Sequence, residues 1–194
     1  MLRNKCNGLN IKYYQIISIN KKFKLILFLS LSACNTFDKD KCTNIYLIRH
    51  AEKVRKDKNE KDPLLNEIGI LRAKKWSEIF KNIKLDKILS TNYKRTISTA
   101  IPTSEEKKIK IDLYNPEDIS YKTFLKENKG KNILIVGHSN TIPGTTNVLI
   151  KSNFYNQIED NNNSNLYYVN ICNGIISHEL LYYPLEREKS KDSI

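Results

Sequence analysis

Two histidines in this chain occupy the same kind of position. Asn44-Ile45-Tyr46-Leu47-Ile48 is a short apolar run ending on Arg49-His50, and Asn132-Ile133-Leu134-Ile135-Val136 is a second one ending on Gly137-His138. Runs of this length, rich in β-branched residues, read as buried strands. In parallel α/β sheets ligands bind beyond the carboxyl ends of the strands, so His50 and His138 are expected to face one pocket. Arg95, just after a third short run at residues 86–89 and in the first turn of a helix, would arrive at the same rim. Two guanidiniums, imidazole and a helix N-terminus suit a tetrahedral oxyanion, because bidentate arginine and aligned backbone N–H groups match phosphate geometry. A small phosphorylated molecule is the expected ligand.

The elements that must position these residues follow in order. Charged residues 52–62 form a loop, and Asn66 can cap a helix whose apolar positions are Ile68, Leu71, Trp76, Ile79, Phe80 and Ile83. Ser90-Thr91-Asn92 supplies cap residues for the helix carrying Arg95, which runs towards Ala100. Residues 108–113 read as a further strand, 116–128 as one helix, and 132–136 as a central strand buried on both faces. Thr141 and Pro143 can open another helix. Residues 166–171 and 175–183 flank Asn173-Gly174, a hairpin signal. Strands alternating with helices and closed by a hairpin predict an α/β fold: a three-layer sandwich, its mainly parallel central sheet flanked by helices, with a C-terminal β-hairpin.

At 194 residues the chain has room for one good core, and 40% hydrophobic with 28% charged residues can build one. The formal charge of +12 raises the question of nucleic acid. Half of that excess lies in residues 1–33, which hold Arg3, Lys5, Lys12, Lys21, Lys22 and Lys24 and no acid. Elsewhere lysines alternate with acids, as in Glu105-Glu106-Lys107-Lys108, and no nucleic-acid-binding motif is visible. A solvated surface is expected, with no nucleic-acid partner.

Lys21-Lys22-Phe23-Lys24 precedes the uncharged run Leu25 to Ala33, the basic and short apolar regions of a secretory signal. The run is too short to cross a bilayer as a helix, which needs about 20 residues. Leu31-Ser32-Ala33-Cys34 resembles the bacterial lipobox, which implies cleavage before Cys34, lipid on Cys34, and export to the outer side of a bacterial membrane. The expected organisation is a signal peptide at 1–33, a tether at 34–43, one domain at 44–184 and a polar tail at 185–194. Cys42 and Cys172 then remain; they could pair in an oxidising compartment, but two buried free thiols are expected. No CxxC or HxxxH spacing suggests a metal site, and no cofactor is expected.

Four motifs in order carry a further likeness: Arg49-His50-Ala51-Glu52-Lys53; Leu65-Asn66-Glu67-Ile68-Gly69; Ser90-Thr91-Asn92-Tyr93-Lys94-Arg95-Thr96 with Thr99-Ala100; and Gly137-His138-Ser139-Asn140. Together, over residues 44–183, they resemble the histidine phosphatase superfamily, the phosphoglycerate-mutase-like proteins. The resemblance implies a metal-independent phosphatase in which His50 is phosphorylated and water then hydrolyses the phosphoenzyme. Arg49, Arg95 and His138 would gather charge on the phosphoryl oxygens. Relatives often protonate the leaving oxygen with a carboxylic acid. Asn115 cannot do so; Glu52, Glu117 and Asp118 could, although Glu117 and Asp118 equally suit the first turn of a helix. Asn66 and Gly69 are expected to set a helix start. Ser139 and Asn140 could cap the next helix or line the pocket, and His178 is expected to have a surface or packing role. Other readings of the same pocket are a non-enzymatic lipoprotein that binds a phosphorylated ligand, a protein-phosphohistidine phosphatase and a phosphoglycerate mutase.

Overall fold

The computed structural model describes residues 42–57 and 59–186. The expected leader at 1–33, the lipidated Cys34, the tether up to residue 41 and the tail beyond Glu186 lie outside the described residues. Strand β1 (Thr43–Arg49) is followed by helix α1 (Glu67–Phe80), β2 (Lys87–Ser90), α2 (Lys94–Lys107) and β3 (Ile111–Leu113). A 3-10 turn at Pro116–Asp118 leads to α3 (Tyr121–Asn128), β4 (Asn132–Gly137), α4 (Thr141–Ile150), β5 (Asn165–Cys172) and β6 (Ile175–Tyr182). The sheet order is β3-β2-β4-β1-β5-β6. The first four strands run parallel, and β5 and β6 are antiparallel additions.

Alternation along the strands divides the core into two layers, as expected for an α/β sandwich. Ile45, Leu47, Ile133 and Ile135 face α3 and α4 with Phe124, Ile142 and Leu149, while Ile48, Leu134 and Val136 face α1 and α2 with Trp76, Phe80 and Ala100. Ile133 to Val136 are wholly buried, so β4 is the central strand its composition predicted. The hairpin closes on Asn173 (φ 53°) and Gly174 (φ 81°), both in the left-handed region that a tight two-residue turn needs.

Several local expectations are corrected. Helix α1 buries Gly69, Arg72, Ala73, Trp76 and Phe80, whereas Ile68 and Leu71 stand about half exposed. The buried stripe is anchored one position later than the apolar residues suggested, because an arginine occupies a core position. Asn66 does cap this helix, its Oδ1 accepting from the Gly69 N–H at 2.8 Å. Helix α2 continues past Ala100 and Pro102 to Lys107, and none of Ser90, Thr91 and Asn92 caps it; its N-cap is Tyr93, without a side-chain bond. The single helix expected over 116–128 is two pieces, because Ile119 is extended (φ −79°, ψ 111°) and Ser120 caps a new start.

Cys42 and Cys172 form a disulfide, which corrects the expectation of free thiols. The cause is strand register: β1 and β5 pair Thr43 with Ile171, so the flanking cysteines face each other across an antiparallel ladder.

Candidate active site

Register brings the two histidines together. Strands β1 and β4 pair Arg49 with Gly137, so His50 and His138 leave the sheet side by side at its carboxyl edge. Their ring centroids lie 5.5 Å apart. Strand β2 pairs Ser90 with Val136, which delivers Thr91 and then Arg95 to the same edge. Arg49, His50, Arg95 and His138 all line one cavity of about 600 Å³.

The backbone around His50 is fixed on every side. Its N–H donates to the Gly137 carbonyl at 2.8 Å, its carbonyl accepts from Asn163 Nδ2 at 2.8 Å, and the Ala51 N–H donates to Thr99 Oγ1 at 2.8 Å. His50 Nδ1 lies 2.7 Å from the Ala51 carbonyl. A carbonyl only accepts, so Nδ1 carries the proton and Nε2 keeps its lone pair. Burial, followed by the nearby positive groups, lowers the pKa of His50 from 6.5 to about 3, with only the Ala51 hydrogen bond opposing. The imidazole is neutral at pH 7 and fit to attack an electrophile.

His138 is neutral by the same physics: burial first and Arg95 second lower its pKa to about 4. Arg95 Nη2 donates to Nδ1 at 3.3 Å, so Nε2–H donates to Thr91 Oγ1 at 2.9 Å. Thr91 in turn donates to Thr96 Oγ1 at 3.0 Å, and Thr96 to the Thr91 carbonyl at 2.8 Å. The Ser-Thr-Asn segment, read in the sequence as a helix cap, thus orients an imidazole instead.

The two arginines are held by acids that the sequence reading did not single out. Arg95 pairs with Asp62 at 3.3 Å, and the Asp62 oxygens accept the Lys94 N–H at 2.9 and 3.1 Å. A residue thirty-two positions upstream therefore caps helix α2. Arg49 is a buried anchor for the loop before β5: Nη1 donates to the carbonyls of Glu159, Asp160 and Asn162 at 2.9, 3.1 and 2.9 Å, and Nη2 to Asp160 Oδ1 at 3.0 Å. Asp160 also binds Arg55 at 2.8 Å, and the hydrogen bond from Arg55, with that from Arg49, holds its carboxyl down to about 2.

The remaining sequence candidates separate cleanly. Glu52 is not aimed into the cavity; its carboxylate is held by Arg72 Nε and Nη2. Glu117 lines the cavity, whereas Asp118 borders a separate depression with Leu89 and Phe124. Ser139 and Asn140 line the cavity, and neither side chain caps α4; Thr141 Oγ1 accepts from the His138 N–H at 2.9 Å. Asn66 sets the start of α1, and Gly69 lies where a Cβ would collide with the Glu52 carbonyl. His178 packs against Phe154 and bonds Tyr155 Oη at 2.8 Å, a packing role. Among the described residues no three His, Cys, Asp or Glu side chains are placed to hold a metal ion. Among them too, no helix is long and apolar enough to cross a membrane.

Comparison with known proteins agrees with this geometry. The model of the histidine phosphatase superfamily (branch 1) matches residues 45–115. No curated protein matches the chain in sequence. Among solved structures, glucosyl-3-phosphoglycerate phosphatase from a mycobacterium superposes with a TM-score of 0.55 at 11% identity, over 73% of this chain and 98% of that one. Phosphoserine phosphatase from Entamoeba histolytica, bound to phosphoserine, gives 0.55 at 18% identity over 70% and 94%. SixA of Agrobacterium tumefaciens, a provisionally assigned phosphohistidine phosphatase, gives 0.53 at 20% identity over 71% and 97%. The fold of this chain is the fold of these proteins.

Proposed function

We propose that this chain, a protein of the histidine phosphatase superfamily, hydrolyses phosphomonoesters through a phosphohistidine on His50. The observation that carries the reading is the pair of neutral imidazoles 5.5 Å apart, flanked by Arg49 and Arg95, at the carboxyl edge of a parallel sheet. His50 Nε2 attacks phosphorus and the bond to the leaving oxygen breaks. Water then attacks the phosphohistidine, returning His50 and releasing phosphate. Arg95 and His138, with the free N–H groups of Arg49, offset the charge that spreads over the equatorial oxygens. His138 donates to a phosphoryl oxygen only when Nδ1 is protonated, so binding of the dianion, which displaces the contact of Nδ1 with Arg95, is coupled to uptake of one proton from solvent. Glu117, on the wall of the cavity, is the residue that supplies a proton to the leaving oxygen.

The test is a rapid denaturing quench at alkaline pH, where phosphohistidine survives, after mixing the protein with a labelled phosphomonoester. Label on the wild type that disappears in His50→Ala supports the reading. Phosphate affinity with neither label nor turnover would instead indicate the non-enzymatic binding protein. A mutase is disfavoured because the short links between motifs leave little room for a substrate cap. For a protein-phosphohistidine phosphatase, the exported location proposed next is a poor fit.

The same proposal places the domain outside the cytoplasm, tethered by lipid on Cys34. Support comes from the lipobox-like Leu31-Ser32-Ala33-Cys34 and from the Cys42–Cys172 disulfide, which suits an oxidising compartment. Membrane association and palmitate labelling in a bacterial host, both abolished by Cys34→Ser, would support it. Unlabelled soluble protein from the wild-type gene would overturn it.

A further inference from the structure

The cations around the cavity are not equivalent. Arg95 is paired with Asp62, and Arg49 and Arg55 share Asp160. Lys53 lines the same cavity, yet its ammonium makes no ion pair and no hydrogen bond among the described residues. Its backbone is fixed, because Lys53 bridges Leu65 across the loop and its carbonyl accepts from Asn66 Nδ2 at 3.4 Å. A partly buried lysine on a fixed base, surrounded mainly by other cations, sits where the potential is already positive. Burial and the charges of Arg95 and Arg55 oppose its protonated form, and Asp160, already committed to two arginines, only partly offsets them. Such a site is favourable for an anion and unfavourable when empty. The cavity, at about 600 Å³, also exceeds what one phosphoryl group between His50 and His138 fills.

We propose that Lys53 binds a second anionic group of the substrate, so that the preferred phosphomonoesters carry a carboxylate or a second phosphate a few bonds from the one removed. The inference rests on the phosphatase reading and narrows it. A substrate with only one anion leaves Lys53 unpaired, whereas one bearing an ammonium next to the phosphate meets repulsion. Lys53 acts through binding, so its effect falls mainly on KM.

Glycerol 3-phosphate and 3-phosphoglycerate differ only in a hydroxymethyl group against a carboxylate, and glycerol 1,3-bisphosphate supplies a second phosphate instead. Values of kcat/KM on the full chain should favour one or both second-anion substrates by about tenfold or more, the range of a charge-assisted hydrogen bond. Lys53→Met should collapse that ratio through KM, and Lys53→Arg should largely keep it. Preference for 3-phosphoglycerate alone would name a carboxylate, and for the bisphosphate alone a phosphate. A wild-type ratio near one, or an equal loss on all three substrates in Lys53→Met, would overturn the assignment while leaving the phosphatase intact. Failure of the wild type on all three and on p-nitrophenyl phosphate would instead remove the phosphatase reading itself.

Discussion

Arg72 Nε lies 2.8 and 2.9 Å from the two carboxylate oxygens of Glu52, and Nη2 lies 2.6 Å from Oε1, although Arg72 is a residue of a helix core. The pair ties α1 to the segment just after His50, and Gly69, one turn earlier, presses its backbone on the Glu52 carbonyl. Arg72→Leu leaves a largely buried carboxylate without its main partner and should cost about 3 kcal/mol, as breaking such pairs does. Gly69→Ala should cost about 1–3 kcal/mol through overpacking against backbone. Urea unfolding measures both; a wild-type midpoint for Arg72→Leu would deny the pair any structural weight.

Arg95→Ala removes a guanidinium that contacts His138 and lines the cavity proposed to hold the phosphoryl group. Turnover of a phosphomonoester should fall about 10² or more, the usual loss of one oxyanion donor. Steady-state kinetics within threefold of wild type would remove Arg95 from the site.

Acid should destabilise this fold partly through its two imidazoles. Burial lowers His50 to about 3 and His138 to about 4, against 6.5 when exposed. Between those values the unfolded chain binds more protons than the folded one, so stability rises with pH there. The contribution is complete above pH 6.5 and drains as pH falls towards 4 and then 3. Thermal melts of His50→Asn should therefore lose less Tm than wild type between pH 6.5 and 4.5; parallel curves would mean that His50 is not held neutral.

Glu117→Gln discriminates by leaving group. An alkyl phosphate needs a proton on departure, while p-nitrophenolate does not, so turnover should drop about 10²-fold on the first and far less on the second. Equal losses on both would show that Glu117 is not the acid.

The disulfide joins residues 130 apart, closing nearly the whole domain into one loop. By the chain-entropy account, Cys42→Ser should lower stability by about 3–5 kcal/mol. Guanidinium unfolding with and without reductant checks this, and a reductant-insensitive wild type would show that the thiols do not pair in solution.

Much of the site was legible because it is local. An apolar run followed by Arg-His or Gly-His states both a strand and what stands at its end, and Asn66 three residues before Gly69 states a cap. Charge partners were not legible. Asp62 and Asp160 look like any acids in polar loops, and nothing near them in sequence points to Arg95 or Arg49. The stripe of α1 is not legible because a buried arginine breaks the rule that core positions are apolar; Glu52, Ser164 and the Tyr183 carbonyl, brought close by folding, make it tolerable. Cys42 and Cys172 failed for the same reason, since pairing depends on strand register.

What the sequence by itself determined is most of the elements, their parallel and hairpin connections, and which residues, Arg49, His50, Arg95 and His138, come to the carboxyl edge of the sheet, because each follows from side-chain periodicity and turn chemistry within a few positions. Tertiary structure alone decided that Glu52 belongs to Arg72, that Glu117 rather than Asp118 lines the cavity, and that Lys53, of the cations lining it, has no ion-pair partner among the described residues. Those facts are distances between segments far apart in the chain, and Coulomb forces and hydrogen bonds act on distance in space, not on separation in sequence.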